Sequence, residues 1–235
     1  MTEKHSLVLV PGLLCTSDLW RDQITALSDI ANIIVGDHTQ DDNMSAIAER
    51  ILANAPERFA LAGLSMGGYI VLEMMRQAPE RITHLAIMDS RAVADTPEDY
   101  QRRLDFIKLV EQGSAFKGVT RSLLPTLIHK SRLNDEDLVS RIFKMAEDIG
   151  KEAFLRQERA LLDRPVLTGM LRTISCPTLV LAGADDKLIP PKIQRDMAIE
   201  IPTAQYVEIP NCGHLPTMEE PELTSKYMRH WLARS

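Results

Sequence analysis

The sequence predicts an α/β fold, a mostly parallel, doubly wound sheet interrupted by a helical insertion, and three observations carry that reading. Six short apolar runs are spread along the chain, helical patterns alternate with the first four, and one long middle stretch has helical periodicity without any strand signal. With 235 residues, 45% of them hydrophobic, the chain can bury a sizeable core as one domain.

Taken in order, the first run is Leu7 to Val10, followed by a helical pattern from Leu19 to Leu27. Ala31 to Val35 is the second run, and the helix after it, Ser45 to Asn54, ends before Ala55-Pro56 because a residue preceding proline disfavours the helical region. The third run, Phe59 to Ala62, leads into a helix from Met66 toward Gln77, with Ile70, Met74 and Ala78 on one stripe until Pro79 stops it. His84 to Met88 is the fourth. Such runs, several nearly continuous in Val, Ile, Leu and Ala, suit parallel strands buried on both faces. From 92 to 170 the alternation stops: Tyr100, Leu104, Ile107 and Val110 form one helical stripe, and Leu138, Ile142, Met145 and Ile149 form another, opened by Asn134 as N-cap with Asp137 three residues on. Strand signals resume at Thr178 to Leu181 and Gln205 to Ile209, so residues 1–91 and 171–235 are expected to share one sheet, with 92–170 as a helical cap over its crevice.

The balance of 33 acidic against 27 basic residues gives a net charge of −6, and without a basic tract to neutralise phosphates nucleic acid is not an expected partner. The N-terminus lacks the signature of a secretory leader, and no apolar run approaches the roughly 18 residues of a membrane span, so a cytoplasmic address and no membrane partner are the default expectation. Cys15, Cys176 and Cys212 are odd in number and widely separated, and they read as reduced thiols, neither a disulfide framework nor a zinc site. Oligomeric state is not readable, and a homo-oligomer stays open.

Chemistry enters with Gly63-Leu64-Ser65-Met66-Gly67, which follows a strand signal and opens a helix. In that context Gly-x-Ser-x-Gly is a nucleophile elbow: a strained corner presents Ser65 at a helix N-terminus, with small neighbours where the backbones crowd. A serine hydroxyl needs a base, and the base needs a third group to fix its tautomer. His214, in the loop Asn211-Cys212-Gly213-His214 after the last strand signal, is the candidate base. The acid has three contenders, ranked Asp186, Asp89, Asp185; adjacent residues on an extended segment face opposite ways, so Asp185 and Asp186 cannot both serve. Acyl transfer also requires donors for an oxyanion, assigned here to the backbone N–H groups of Met66 and, from the turn Val10-Pro11-Gly12-Leu13-Leu14, of Leu13. His5, His38, His84, His129 and His230 read as solvated or structural and receive no role.

These positions together resemble the α/β-hydrolase family along nearly the whole chain. The family's elbow is matched by Gly63 to Gly67, its Gly-x-x-Asp-x-x-x-Pro acid loop by Gly183, Asp186 and Pro190, and its Gly-His followed by Glu-x-Pro by Gly213-His214 and Glu219-Glu220-Pro221. That register implies Asp186 over Asp185. The family's oxyanion turn often reads His-Gly; here Pro11 stands where the His would be, which keeps the backbone donor and removes a hydrogen-bonding side chain. The resemblance implies a sheet of about six strands, beginning at the family's third, and cofactor-free, metal-free hydrolysis of a small carboxylic ester through an acyl-enzyme. Thioester, lactone or carbon–carbon cleavage, acyl transfer, and a non-catalytic ligand-binding role on the same scaffold are the alternatives. Substrate contacts are assigned to Arg91 at the rim and to Phe106, Leu124 and Phe154 in the cap, although helical stripes of this kind normally pack inward.

Overall fold

The computed structural model describes residues 4–112 and 116–235. Six strands, β1 (His5–Val10), β2 (Ala31–Val35), β3 (Phe59–Leu64), β4 (Ile82–Met88), β5 (Thr178–Gly183) and β6 (Ala204–Ile209), form one sheet in the order β2-β1-β3-β4-β5-β6. Every adjacent pair is parallel. Side chains alternate across it: Val8, Val10, Leu61, Leu85, Ile87 and Val180 enter one apolar cluster, while Leu7, Leu9, Ala62, Leu64, Met88, Leu179 and Leu181 enter the other.

Each cluster is closed by its own helices. The first takes up α2 (Met44–Asn54), α3 (Met66–Gln77) and α7 (Pro191–Ile199); the second takes up α1 (Arg21–Leu27) and α9 (Pro221–Leu232), whose Trp231 is fully buried. Helices on both faces explain why the central strands read as continuous apolar runs. The edges differ: β2 exposes Asn32 and Ile34, and β6 buries only Val207 and Ile209, so these two strands alternate.

Between β4 and β5 the described residues contain helices and no strand: α4 (Pro97–Glu111), α5 (Leu124–Leu127) and α6 (Glu136–Leu162). Thr96 caps α4, its hydroxyl accepting the Asp99 N–H. In α4 Ile107 and Val110 are buried, but Tyr100 is exposed, so the expected stripe reaches the core over its second half alone. The cap of α6 is Asp135, which accepts the Leu138 N–H, one residue after the expected Asn134. Gly150, at φ 70° and ψ 175°, breaks α6 into two helical stretches. A four-residue α8 (Pro216–Glu219) follows β6 and its loop.

A buried ion-pair network joins these helices to the core. Asp95 accepts from Arg91, Arg103 and Arg164; Arg103 also meets Glu158 of α6, and Arg164 stacks over the ring of Tyr69 in α3 at 4.3 Å. No described helix is long and apolar enough to cross a membrane.

Candidate active site

The loops at the carboxyl ends of β1, β3, β4, β5 and β6 converge where ligands of parallel sheets bind. Ser65 sits at the β3–α3 corner with φ 56° and ψ −115°, a left-handed conformation disfavoured for serine. The surroundings over-determine it. The Ser65 N–H donates to the Met88 carbonyl at 2.9 Å, and the buried Ser90 hydroxyl donates to the Ser65 carbonyl at 2.8 Å. Gly67 is required by close approach, because a Cβ there would stand 2.1 Å from the Val10 carbonyl oxygen.

Ser65 Oγ lies 2.8 Å from His214 Nε2, and His214 Nδ1 lies 2.8 Å from Asp186 Oδ2. Asp186 and His214 are buried, so the chain of hydrogen bonds reaches solvent only through Ser65. The second oxygen of Asp186 accepts the N–H groups of Leu188 and Ile189. Burial works against ionising this carboxyl, but His214 and the Ile189 N–H outweigh it and hold Asp186 below the usual carboxylate range.

The histidine loop is gripped by Glu219. Its buried carboxylate accepts the N–H groups of Gly213, Leu215 and His129, and the His214 N–H donates to the Leu127 carbonyl. Burial pushes Glu219 up, against those N–H donors. Asp185 turns away, half exposed, toward His129 at 3.8 Å. Asp89, the third contender, is buried, takes φ 43°, accepts the Gly183 N–H through Oδ1 and stands within 4.8 Å of Asp186. Burial and the charge of Asp186 raise Asp89 well above its ordinary value, disfavouring its ionised form.

Asp89, Asp186 and His214 have the crowding of a metal site, yet both imidazole nitrogens and both Asp186 oxygens already have protein partners, Ser65 and the Leu188 and Ile189 N–H groups among them. Cys15 and Cys212 lie buried beside the site; desolvation pushes Cys15 up to about 12 and Cys212 higher still, so neither offers a thiolate.

The remaining residues named from sequence are dispersed. Among the described residues, the Leu13 and Met66 N–H groups donate to no protein acceptor. Phe154 is buried in a cluster with Ile107, Val110 and Leu155, against which Leu13 and Leu14 pack. Leu124 is buried in the apolar cluster that includes Leu215 and Met218. Arg91 commits its guanidinium to Tyr69, Asp95 and Asp99, and Phe106, 44% exposed, lies in an outer groove with Pro97 and Leu109 that contains none of Ser65, Asp186 or His214. Their packing is structural: Arg91 belongs to the ion-pair network and Phe106 to the outer surface of α4.

Residues 7–226 match the model of the alpha/beta hydrolase family. The chain belongs to that family. Over 98% of its length it is 30% identical to a thermophilic esterase from Thermogutta terrifontis, covering 90% of that structure with a TM-score of 0.89. It is 26% identical to the pimeloyl-[acyl-carrier protein] methyl ester esterase of Nitrosomonas europaea, across 92% of this chain and 91% of the relative. The enol-lactonase of Burkholderia xenovorans LB400, at 21% identity and a TM-score of 0.83 over 99% and 92% of the two chains, shares the fold. The protein is thus an enzyme of the alpha/beta hydrolase family.

Proposed function

We propose that the protein is a serine hydrolase of small carboxylic esters, with Ser65 as nucleophile, His214 as general base and acid, and Asp186 as the group that orients His214. The observation carrying this reading is the unbroken relay of two 2.8 Å hydrogen bonds ending on a hydroxyl in a strained elbow. In the first half-reaction His214 takes the Ser65 proton, Oγ adds to the ester carbonyl, and the alkoxide leaves with the proton returned by His214; in the second, His214 activates water and the acid is released. Leu13 and Met66 N–H groups receive the oxyanion.

The two esterase relatives support ester as the substrate class, since both carry that activity in their names. Packing of Phe154 and its neighbours against Leu13 and Leu14 supports the helices between β4 and β5 as the cap that sets acyl length. Turnover of p-nitrophenyl esters of increasing acyl length, measured for the native enzyme and Ser65→Ala, tests the reading. Activity that peaks at one acyl length and vanishes in the variant is expected; equal turnover in both would refute it.

A further inference from the structure

The turn after β1 is held by its own Cys15 thiol, which donates to the Leu13 carbonyl at 3.4 Å, and by two side chains from distant segments that belong to no motif. Within it the Cys15 N–H donates to the Gly12 carbonyl at 3.1 Å, and Leu14 takes φ 60°, a conformation a leucine rarely occupies. A four-residue turn with positive φ at its third position is of type II and normally asks for glycine there. Leu14 is therefore under strain, and the turn needs outside support.

Support comes from opposite ends of the sequence. The ring of His38, in the loop after β2, is buried, and its Nε2 lies 2.9 Å from the Gly12 carbonyl oxygen. A carbonyl only accepts, so Nε2 carries the proton, and burial keeps the ring neutral by disfavouring the imidazolium. The carbonyl of Gly12 and the N–H of Leu13 are the two ends of one planar peptide unit and point in opposite directions. Fixing one end fixes the other. The next peptide unit is held by Gln157, fully buried in the second stretch of α6, whose Oε1 accepts the Leu14 N–H at 3.2 Å. Among the described residues this is the one hydrogen bond of that side chain, since its Nε2 has no partner.

We propose that His38 and Gln157 are positioning residues that hold two consecutive peptide planes so that the Leu13 N–H faces the oxyanion, with Gln157 making that geometry depend on how α6 is seated. The proposal rests on the reading of Leu13 as an oxyanion donor. His38 thereby supplies, from a different loop, a side-chain hydrogen bond to the turn in which Pro11 cannot donate. Its effect is confined to the transition state: substrate binding does not need the donor aimed, whereas the tetrahedral adduct does.

The experiment measures kcat and KM for p-nitrophenyl butyrate with the native enzyme, His38→Phe, His38→Gln, Gln157→Leu and Gln157→Glu, beside Ser65→Ala. Removing a whole oxyanion donor costs about 10²–10³ in kcat, so a displaced one should cost at least about tenfold in His38→Phe and Gln157→Leu, with KM changing less than about twofold. His38→Gln, which keeps a donor, and Gln157→Glu, which keeps the acceptor, should recover most of kcat. Native kcat in both His38→Phe and Gln157→Leu, losses confined to KM, or no recovery in the conservative pair would overturn the proposal. The two sites lie on different elements, so a variant that does not fold leaves the other to decide. Turnover surviving Ser65→Ala would instead remove the reading beneath it.

Discussion

A carboxyl oxygen of Asp89 stands within 4.8 Å of one of Asp186, where both groups are closed to water. Two buried carboxylates side by side disfavour each other's ionisation, and the surroundings decide which is the easier to ionise. Asp186 has His214 and two N–H donors; Asp89 has the Gly183 N–H and a distant Gln194 amide at 3.3 Å. That set of partners favours the charge on Asp186 and the proton on Asp89.

Replacing Asp89 by Asn follows from that assignment. The amide keeps the acceptor for Gly183 and an uncharged group beside Asp186, so kcat should stay within about fivefold, a change of roughly 1 kcal/mol. A group whose folded pKa is raised gives stability that is present below its ordinary value of 3.8 and lost as pH climbs toward the folded value. The Asn variant lacks that loss. Its melting temperature relative to the native enzyme should therefore rise between about pH 4 and about pH 7, as calorimetry can follow. An unchanged difference would mean that Asp89 ionises alike in both states.

Asp186→Asn acts on the other partner. An amide at this position presents a donor or the wrong acceptor to Nδ1, selects the unproductive tautomer, and should lower kcat for ester turnover by about 10³–10⁴. Near-native kcat would transfer the orienting role to another acid.

Substitution of Gly67 tests the elbow itself. A Cβ at 2.1 Å from the Val10 carbonyl forces the elbow helix away from β1, and Gly67→Ala should cost at least about 3 kcal/mol by urea unfolding and abolish turnover. Gly169, where a Cβ meets nothing within 4 Å, is the matched control: Gly169→Ala should be neutral or stabilising by up to about 1 kcal/mol. Equal losses at both positions would contradict the close approach.

Much of this architecture is legible in sequence because its signals are local. Apolar runs mark strands buried on both faces, and Ser65, Asp186 and His214 each stand in a short motif of contiguous residues. His38, Gln157, Ser90 and Gln194 escape because their meaning lies in partners 26, 143, 25 and 105 residues away, and nothing in their neighbours announces burial. Next to Asp37 and Thr39, His38 reads as either solvated or structural, and only the fold shows it buried against the Gly12 carbonyl. Arg91 and Phe106 show the converse, as residue type suggested substrate contact while the fold spends one on Asp95 and turns the other outward. The cap of α6 moves from Asn134 to Asp135 because either side chain suits that place and tertiary packing chooses the register.

Asp95 concentrates the attachment of the helical insertion. With a side chain only 3% exposed among three arginines, its removal in Asp95→Ala strands buried guanidinium groups and should cost about 3–5 kcal/mol. Burial opposes its ionisation, but Arg164 and Arg103 overcome it and hold the carboxyl below 3.8; the stabilisation is present above that value and lost as pH falls beneath it. Acid titration of thermal stability should show that loss in the native enzyme and not in Asp95→Ala.

The most direct test is to quench the enzyme during turnover of p-nitrophenyl acetate and weigh the intact protein. A covalent acyl-enzyme predicts the added mass of one acetyl group, placed by peptide mapping on Ser65 and absent from Ser65→Ala. Acetyl mapped to another residue during turnover, or rapid turnover that survives Ser65→Ala, would contradict a nucleophilic serine at this elbow.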